Sequence, residues 1–335
     1  MAFRILSIDG GGARGVIPLA ILSELEAQTG VRTADRFDLI AGTSTGGLIA
    51  CGLTLKKNKN FRTPKYSAEE LLKLYKKHIP AIFKNKYPTR WLSDKISNLQ
   101  TSYDTTGLDN ALNEILGTSR LEDCRTPIFV SSYDMRNRFP IHFTSREAVI
   151  KSQGQHASKN FLLKDICRAT SAAPTYFPPF KLDYPNPLGN NLMATDCIDG
   201  GIFVNNPSLA AYLEVLQHRS PLIYQKAIKG PIKILSLGTG SISPNLRPEK
   251  NMVGSGRLFW AKLIIELMMQ ANSQIVDAQV KYLLPQSDFF RVEPPLKEFP
   301  DLDDSSKKAI KFWIENVAYG EVINDSSFWN KIRNF

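Results

Sequence analysis

The sequence predicts an α/β fold, a mostly parallel central sheet flanked by helices. Two observations carry that expectation. Strand and helix signals alternate through the first 60 residues. In each of the first two units, an apolar run also passes through a glycine-rich turn directly into a helix.

Taken in order, "FRILSI" at residues 3–8 is a short apolar strand that ends at Asp9. "GGGARG" turns the chain, and Val16 to Gln28 reads as a helix, with Pro18 tolerated in its first turn. A second buried strand, "FDLIAGT" at residues 37–43, runs into Ser44, after which "TGGLIACGLTL" resumes as a helix. Further strands are predicted at "PIFVSSYDM", "PIHFTS", "NLMATDCID" and "IKILSLGT", and helices near 68–79, 107–116, 163–172 and 206–218. A long helix around 257–283 carries a polar stripe at Lys262, Glu266, Gln270, Ser273, Asp277 and Lys281, and its Leu, Ile and Met face is expected to be core.

A chain of 335 residues can bury a sizeable core without covalent staples. No repeat, low-complexity tract or linker divides it, so residues 1–335 are expected to form a single domain. Cys51, Cys124, Cys167 and Cys197 lie far apart with no C-x-x-C pair and no histidine cluster, which suggests reduced core thiols and neither a disulfide framework nor a zinc site. The N-terminus reaches an acidic residue and a glycine cluster within ten positions, unlike a signal peptide, and a cytoplasmic protein is expected. Residues 39–55, "LIAGTSTGGLIACGLTL", are 17 residues without a charge. Eight of them are Gly, Thr or Ser, a composition suited to a turn rather than to a lipid-facing helix.

Charge is unevenly placed. Between Lys56 and Lys95 stand twelve Lys and Arg against three acidic residues, a net of +9 in a chain whose total is +10. Such a surface attracts anionic phosphates, on lipid or nucleic acid, or simply serves as a solvated face.

Three constellations carry chemistry. Gly42-Thr43-Ser44-Thr45-Gly46 is a G-x-S-x-G at a strand-to-helix junction, the setting in which a nucleophile elbow lifts a serine hydroxyl above the sheet edge at the positive end of a helix. Asp9-Gly10-Gly11-Gly12-Ala13-Arg14-Gly15, also between strand and helix, uncovers backbone N–H groups that can hold a phosphate or an oxyanion. It also matches G-x-G-x-x-G, but a dinucleotide site wants an acid at the end of the second strand, where this chain has Gly42 to Ser44. The third is "DCIDGGIFVNNP", which sets Asp199 after a strand and before two glycines, either as a site carboxylate or as a plain turn. None of His78, His142, His156 and His218 has the surroundings of a catalytic base.

Together and in this order, "SIDGGGARGVIPLAIL", "FDLIAGTSTGGLIA", "ICRATSAAPTYFPP" and "DGGIFVNNP" resemble the patatin-like phospholipase family, across roughly residues 3–240. The resemblance implies a three-layer fold; beyond the matched segment, about 250–335 reads as a helical C-terminal elaboration. The resemblance also implies a Ser-Asp dyad without histidine: Ser44 as nucleophile, Asp199 as its partner, and Gly10, Gly11 and Gly12 as oxyanion donors. Arg14 would lie near substrate phosphate. No metal or other cofactor is implied. An ordinary Asp is a poor acceptor for a hydroxyl proton, so its surroundings must raise its pKa, and burial would do so.

The expected function is a lipid acyl hydrolase of phospholipase A or lysophospholipase type. Peripheral membrane association would run through the Lys56 to Lys95 stretch. A phospholipase effector switched on by a cyclic nucleotide, and an esterase or thioesterase of non-phospholipid substrates, remain open at this point. A nucleic-acid binder is disfavoured for want of a reading motif.

Overall fold

The computed structural model describes residues 2–58, 61–84, 101–149, 159–185, 192–218, 224, 230–242, 257–298 and 301–335. In chain order the elements that position the site are β1 (Phe3–Ile8), α1 (Val16–Thr29), β2 (Leu39–Thr43), α2 (Thr45–Thr54), α3 (Ala68–Ile82), α4 (Thr106–Leu116), β3 (Ile128–Asp134) and β4 (Phe139–Thr144). They continue with α5 (Leu163–Thr170), β5 (Phe180–Pro185), β6 (Leu192–Asp199), α6 (Ser208–Gln217), β7 (Ile232–Leu237), α7 (Arg257–Leu283), β8 (Phe289–Val292) and α8 (Lys307–Phe312), which runs on as a π-helix, Trp313–Ile323.

The sheet order is β8-β7-β1-β2-β3-β6-β5, with β4 paired to the other edge of β3. From β8 to β3 every pairing is parallel, and β4, β6 and β5 add antiparallel ones. Strand periodicity sorts the core into two layers. Leu6, Ile8, Ile40, Ile128 and Val130 pack toward α1, α2, α3 and α4, whereas Phe3, Ile5, Leu39, Ala41 and Phe129 pack toward α6 and α7. The result is the three-layer α/β arrangement, helices on both faces of a mostly parallel sheet.

One register brings the site together. β3 gives one edge to β4 along its whole length, so β2 and β6 must share the other. β2 runs parallel to β3 and ends with Thr43 opposite Ser131; β6 arrives antiparallel and ends with Asp199 opposite Ser132. Two strands therefore run head-on along a single edge and stop at adjacent positions, which sets the residues after one and at the end of the other side by side.

The uncharged run at residues 39–55 is β2 and α2 meeting at Ser44, and its residues are buried apart from a partly exposed Leu48. Among the described residues no helix is long and apolar enough to cross a membrane. Three features depart from the sequence reading. β2 starts at Leu39, not Phe37, because the Asp38 carboxylate turns aside to accept the Arg4 N–H at 2.9 Å. β5, the edge strand β8 and a short hairpin (Lys56–Asn58 with Phe61–Pro64) carry no strong alternation and were not predicted, and β8 lies in the segment expected to be helical.

The third departure is α7, whose buried face takes in part of its polar stripe. Leu263, Ile265, Met269, Val276 and Val280 are buried as core, but so are Glu266 and Ser273 of the polar stripe, while Ile264, Leu267, Met268 and Ile275 are exposed at 41–54%. The Ser273 hydroxyl donates to Asp9 and accepts from the Asn205 amide, each at 2.9 Å, so the packed face of this helix is part polar, which periodicity alone cannot reveal.

Candidate active site

Ser44 makes the elbow in a single residue, with φ 53° and ψ −124°. Positive φ at a residue with a Cβ costs about 1–3 kcal/mol and persists only where the surroundings enforce it. Here the Ser44 N–H donates to Thr170 Oγ1 at 2.8 Å, and Thr170 in turn donates to the Ser131 carbonyl at 2.6 Å. The Ser44 carbonyl accepts from the N–H of Gly47 and Leu48 at 2.9 and 3.1 Å, which starts α2. Gly46 is obligatory, since a Cβ there would lie 2.1 Å from the Ile8 carbonyl oxygen. The hydroxyl consequently stands at the amino end of α2, where the helix field favours negative charge.

Asp199 faces it. Ser44 Oγ donates to Asp199 Oδ2 at 2.6 Å, and the Gly201 N–H donates to Asp199 Oδ1 at 2.7 Å. The carboxyl is 3% exposed. Burial pushes its pKa up to about 6, against the opposing pull of the Ser44 and Gly201 hydrogen bonds. A carboxylate in this range is a far better acceptor for a serine proton than an ordinary Asp.

The glycine loop after β1 is pinned from several directions. Asp9 accepts both guanidinium nitrogens of Arg291, at 2.8 and 2.7 Å, plus the Ser273 hydroxyl. Thr239 Oγ1 donates to the Gly10 carbonyl at 2.8 Å, the Tyr75 hydroxyl donates to the Gly12 carbonyl at 2.7 Å, and the Ala13 N–H donates to the Leu302 carbonyl at 2.7 Å. Gly12 adopts φ +56°, and a Cβ on it would lie 2.2 Å from the Leu302 oxygen. Of the three expected donors, Gly10 is already engaged, its N–H reaching the Asn205 carbonyl at 3.3 Å. The N–H groups of Gly11 and Gly12 have no protein acceptor among the described residues.

Gly12, Ser44 and Asp199 open on one cavity, walled mainly by apolar side chains such as Leu48, Ile79, Phe83, Phe177 and Met269. Arg14 is not on that wall. It is buried and lines the adjoining polar cavity with Asp9, Glu266, Arg291 and Glu293, next to the Ser44 cavity. No described histidine lines the Ser44 cavity: His142 stacks on Phe129, His78 faces Glu114 on α4 and His218 ends α6, while His156 lies outside the described residues.

The basic stretch is divided. Lys73, Lys76 and Lys77 share the outward face of α3, although Lys73 pairs with Glu69 and Lys77 with Glu114. Lys59, Lys86, Arg90, Lys95 and the Arg62 side chain lie outside what the structure describes.

Sequence reasoning missed Thr170, Tyr75, Thr239, Ser273 and Arg291. Thr170 sits in the "ICRATSAAPTYFPP" block that carried the resemblance without an assigned role. Arg291, a lone cation among aromatics in "DFFRVEPP", carried the one usable signal, since a charge in an apolar strand implies a buried partner.

A family model described as patatin-like phospholipase matches residues 6–212. The chain is 33% identical to Patatin-like protein 2 of Oryza sativa subsp. indica, over 96% of this chain and 84% of the relative. It is 35% identical to Patatin-like protein 2 of Arabidopsis thaliana, over 86% of this chain and 75% of the relative. Among solved structures, VipD from Legionella pneumophila aligns with 96% of this chain and 66% of its own, at 12% identity and a TM-score of 0.39, a weak likeness.

Proposed function

The chain belongs to the patatin-like phospholipase family, a family of lipid acyl hydrolases, and on that premise we propose that it cleaves carboxylic esters of membrane phospholipids or lysophospholipids through an acyl-enzyme on Ser44. The observation that carries this reading is the 2.6 Å hydrogen bond from Ser44 to a buried Asp199 whose pKa is raised to about 6, at the floor of an apolar cavity.

In the proposed cycle, Ser44 Oγ attacks the ester carbonyl carbon and its proton passes to Asp199 Oδ2. The carbonyl oxygen becomes an oxyanion held by the N–H groups of Gly11 and Gly12, a contribution of about 3–4 kcal/mol per donor in other serine hydrolases. Collapse breaks the bond to the alcohol, which leaves with the proton from Asp199. Water then attacks the acyl-enzyme, giving a proton to Asp199, and the fatty acid departs as that proton returns to Ser44. Gly201 steadies the carboxylate throughout by its bond to Oδ1.

Recruitment to the bilayer uses the outward lysines of α3, whose inward Tyr75, Ile79 and Ile82 wall the cavity. Each unpaired lysine near an anionic surface contributes about 1 kcal/mol, less where Glu69 or Glu114 already neutralises it.

Hydrolysis of a phospholipid and lysophospholipid panel by the wild type and Ser44→Ala, with products identified by mass, tests the chemistry. Free fatty acid from the wild type alone is the expected result. Equal release by Ser44→Ala, or none by the wild type, overturns it. Co-sedimentation with vesicles tests recruitment, which should rise with the anionic lipid fraction and fall with salt; binding indifferent to both removes the role of the basic face.

A further inference from the structure

β1 and β7 run parallel and end together, with Ile8 opposite Leu237. The loops that follow them therefore start side by side, and Thr239 is pressed against the glycine loop. It is buried, and a Cβ on Gly11 would lie 2.0 Å from its Oγ1. Its hydroxyl donates to the Gly10 carbonyl at 2.8 Å, across 229 residues of sequence.

The position of that carbonyl decides what the bond does. A trans peptide is one planar unit with its C=O and N–H on opposite edges, and no peptide among the described residues is cis. The unit that carries the Gly10 carbonyl also carries the Gly11 N–H, which has no protein acceptor among the described residues. A hydrogen bond accepted at one edge of such a unit fixes its plane and polarises the N–H at the other. Thr239 thus acts on a donor that its hydroxyl does not bond. The next donor is arranged differently. The unit that carries the Gly12 N–H also carries the Gly11 carbonyl, which accepts the Arg14 N–H at 3.1 Å, a backbone bond made within the same turn. Among the described residues, the Gly11 donor is backed by a side chain and the Gly12 donor by the local backbone.

We propose that Thr239 is the positioning residue of the Gly11 oxyanion donor, orienting and polarising it through the shared peptide without touching substrate. The proposal rests on the acyl-enzyme reading of Ser44. As Ser44 Oγ adds to the ester carbonyl carbon and its proton passes to Asp199, the carbonyl oxygen takes up the negative charge. The Gly11 N–H meets that charge, with the Thr239 hydroxyl behind the same peptide dipole. Bound ester carries no such charge, so the contribution of Thr239 appears in kcat and not in KM.

The test pairs two variants. Thr239→Val keeps the branched shape and removes the hydroxyl, whereas Thr239→Ser keeps the hydroxyl and removes the methyl. With the full chain, kcat and KM are measured for p-nitrophenyl butyrate, and Ki for an aliphatic trifluoromethyl ketone, whose carbonyl carbon Ser44 Oγ attacks to leave a hemiketal oxyanion. Thr239→Val should lower kcat about tenfold, less than the about 10²–10³-fold that follows outright removal of an oxyanion donor, because the Gly11 N–H remains. KM should stay within about twofold of wild type, and Ki should rise by the same factor as kcat falls. The acidic limb of the pH profile, which belongs to Asp199, should not move. Thr239→Ser should bring kcat and Ki back to within about threefold of wild type. A purely structural loss would lower Tm and the amount of active enzyme and leave Ki for the ketone unchanged. Wild-type kcat and Ki in Thr239→Val, a lowered kcat with unchanged Ki, or a loss that Thr239→Ser does not recover overturns the proposal. Should Thr239→Val fail to fold, Thr239→Ala takes its place, differing from Thr239→Ser by the hydroxyl alone. Failure of the underlying hydrolase reading looks different, since the wild type would then release no more p-nitrophenol than Ser44→Ala.

Discussion

Replacing Asp199 by Asn should remove activity and raise stability together, and both effects can be worked from the site. The amide keeps the acceptor for the Gly201 N–H at the Oδ1 position, but it presents an N–H₂ where Oδ2 now receives the Ser44 proton. Ser44 then has no base, and loss of general-base assistance lowers the rate by about 10²–10⁴-fold. The donors of Gly11 and Gly12 stay in place. The stability gain follows from the same burial. A carboxyl raised from 3.8 to about 6 by desolvation opposes its own ionised form in the folded state by about 3 kcal/mol well above pH 6. A neutral amide relieves that opposition. Over 335 residues, unfolding entropy near about 0.7 kcal/mol per degree converts it to a rise of about 4 °C in Tm.

The sign of the pH dependence is fixed by the direction of the shift. The folded protein binds the Asp199 proton more tightly than the unfolded chain, so the wild type recovers this stability as pH falls through about 6 toward 3.8. The advantage of Asn should be full at pH 8 and vanish near pH 4. Calorimetric scans across that range, paired with ester hydrolysis rates, make the assay. A variant retaining a tenth or more of wild-type kcat/KM would refute the base role of Asp199. An inactive variant that melts lower than wild type at pH 8 would refute the buried-charge reasoning.

Three further outcomes are expected. Wild-type kcat/KM should fall about tenfold per pH unit below about 6, the value for Asp199, and a profile level down to pH 4.5 would separate activity from that carboxylate. Gly12→Ala, whose methyl would meet the Leu302 carbonyl at 2.2 Å on a backbone of φ +56°, should displace the loop and lower kcat by about 10²–10³-fold with the far-ultraviolet circular dichroism unchanged. Arg291→Met strands a buried Asp9 carboxylate and should destabilise the fold by about 3–5 kcal/mol in urea unfolding, whereas Arg291→Lys should recover part of the loss.

What could be read from the sequence was local chemistry at element ends. Ser44 between Gly42 and Gly46, and Asp199 before two glycines, announce themselves because a tight turn restricts residue type within a few positions. Buried β1, β2, β3 and β7 were legible for a related reason: they are continuous apolar runs bounded by turn residues. β5 and β8 were not, since "FKLDYP" and "FFRV" are short and mix charge with aromatics. Gly10 and Gly11 look alike in sequence; only the position of the Asn205 carbonyl, 195 residues away, makes their N–H groups differ. The mixed face of α7 has the same origin. Ser273 is inside beside Met269 and Val276 because Asp9 and Asn205 converge on it from distant segments, with Arg291 on Asp9.

The Asp9–Arg291 pair joins residues 282 apart, and Leu302 holds Ala13 from farther still. During translation, the glycine loop and serine emerge first, the carboxylate 155 residues after the serine, and Arg291, which clamps the loop, 282 residues after Asp9. A nascent chain released or stalled before residue 291 lacks the clamp on Asp9 and cannot assemble the complete site. The order of synthesis thus acts as a built-in delay, withholding a finished site until Arg291 and Leu302 have been made.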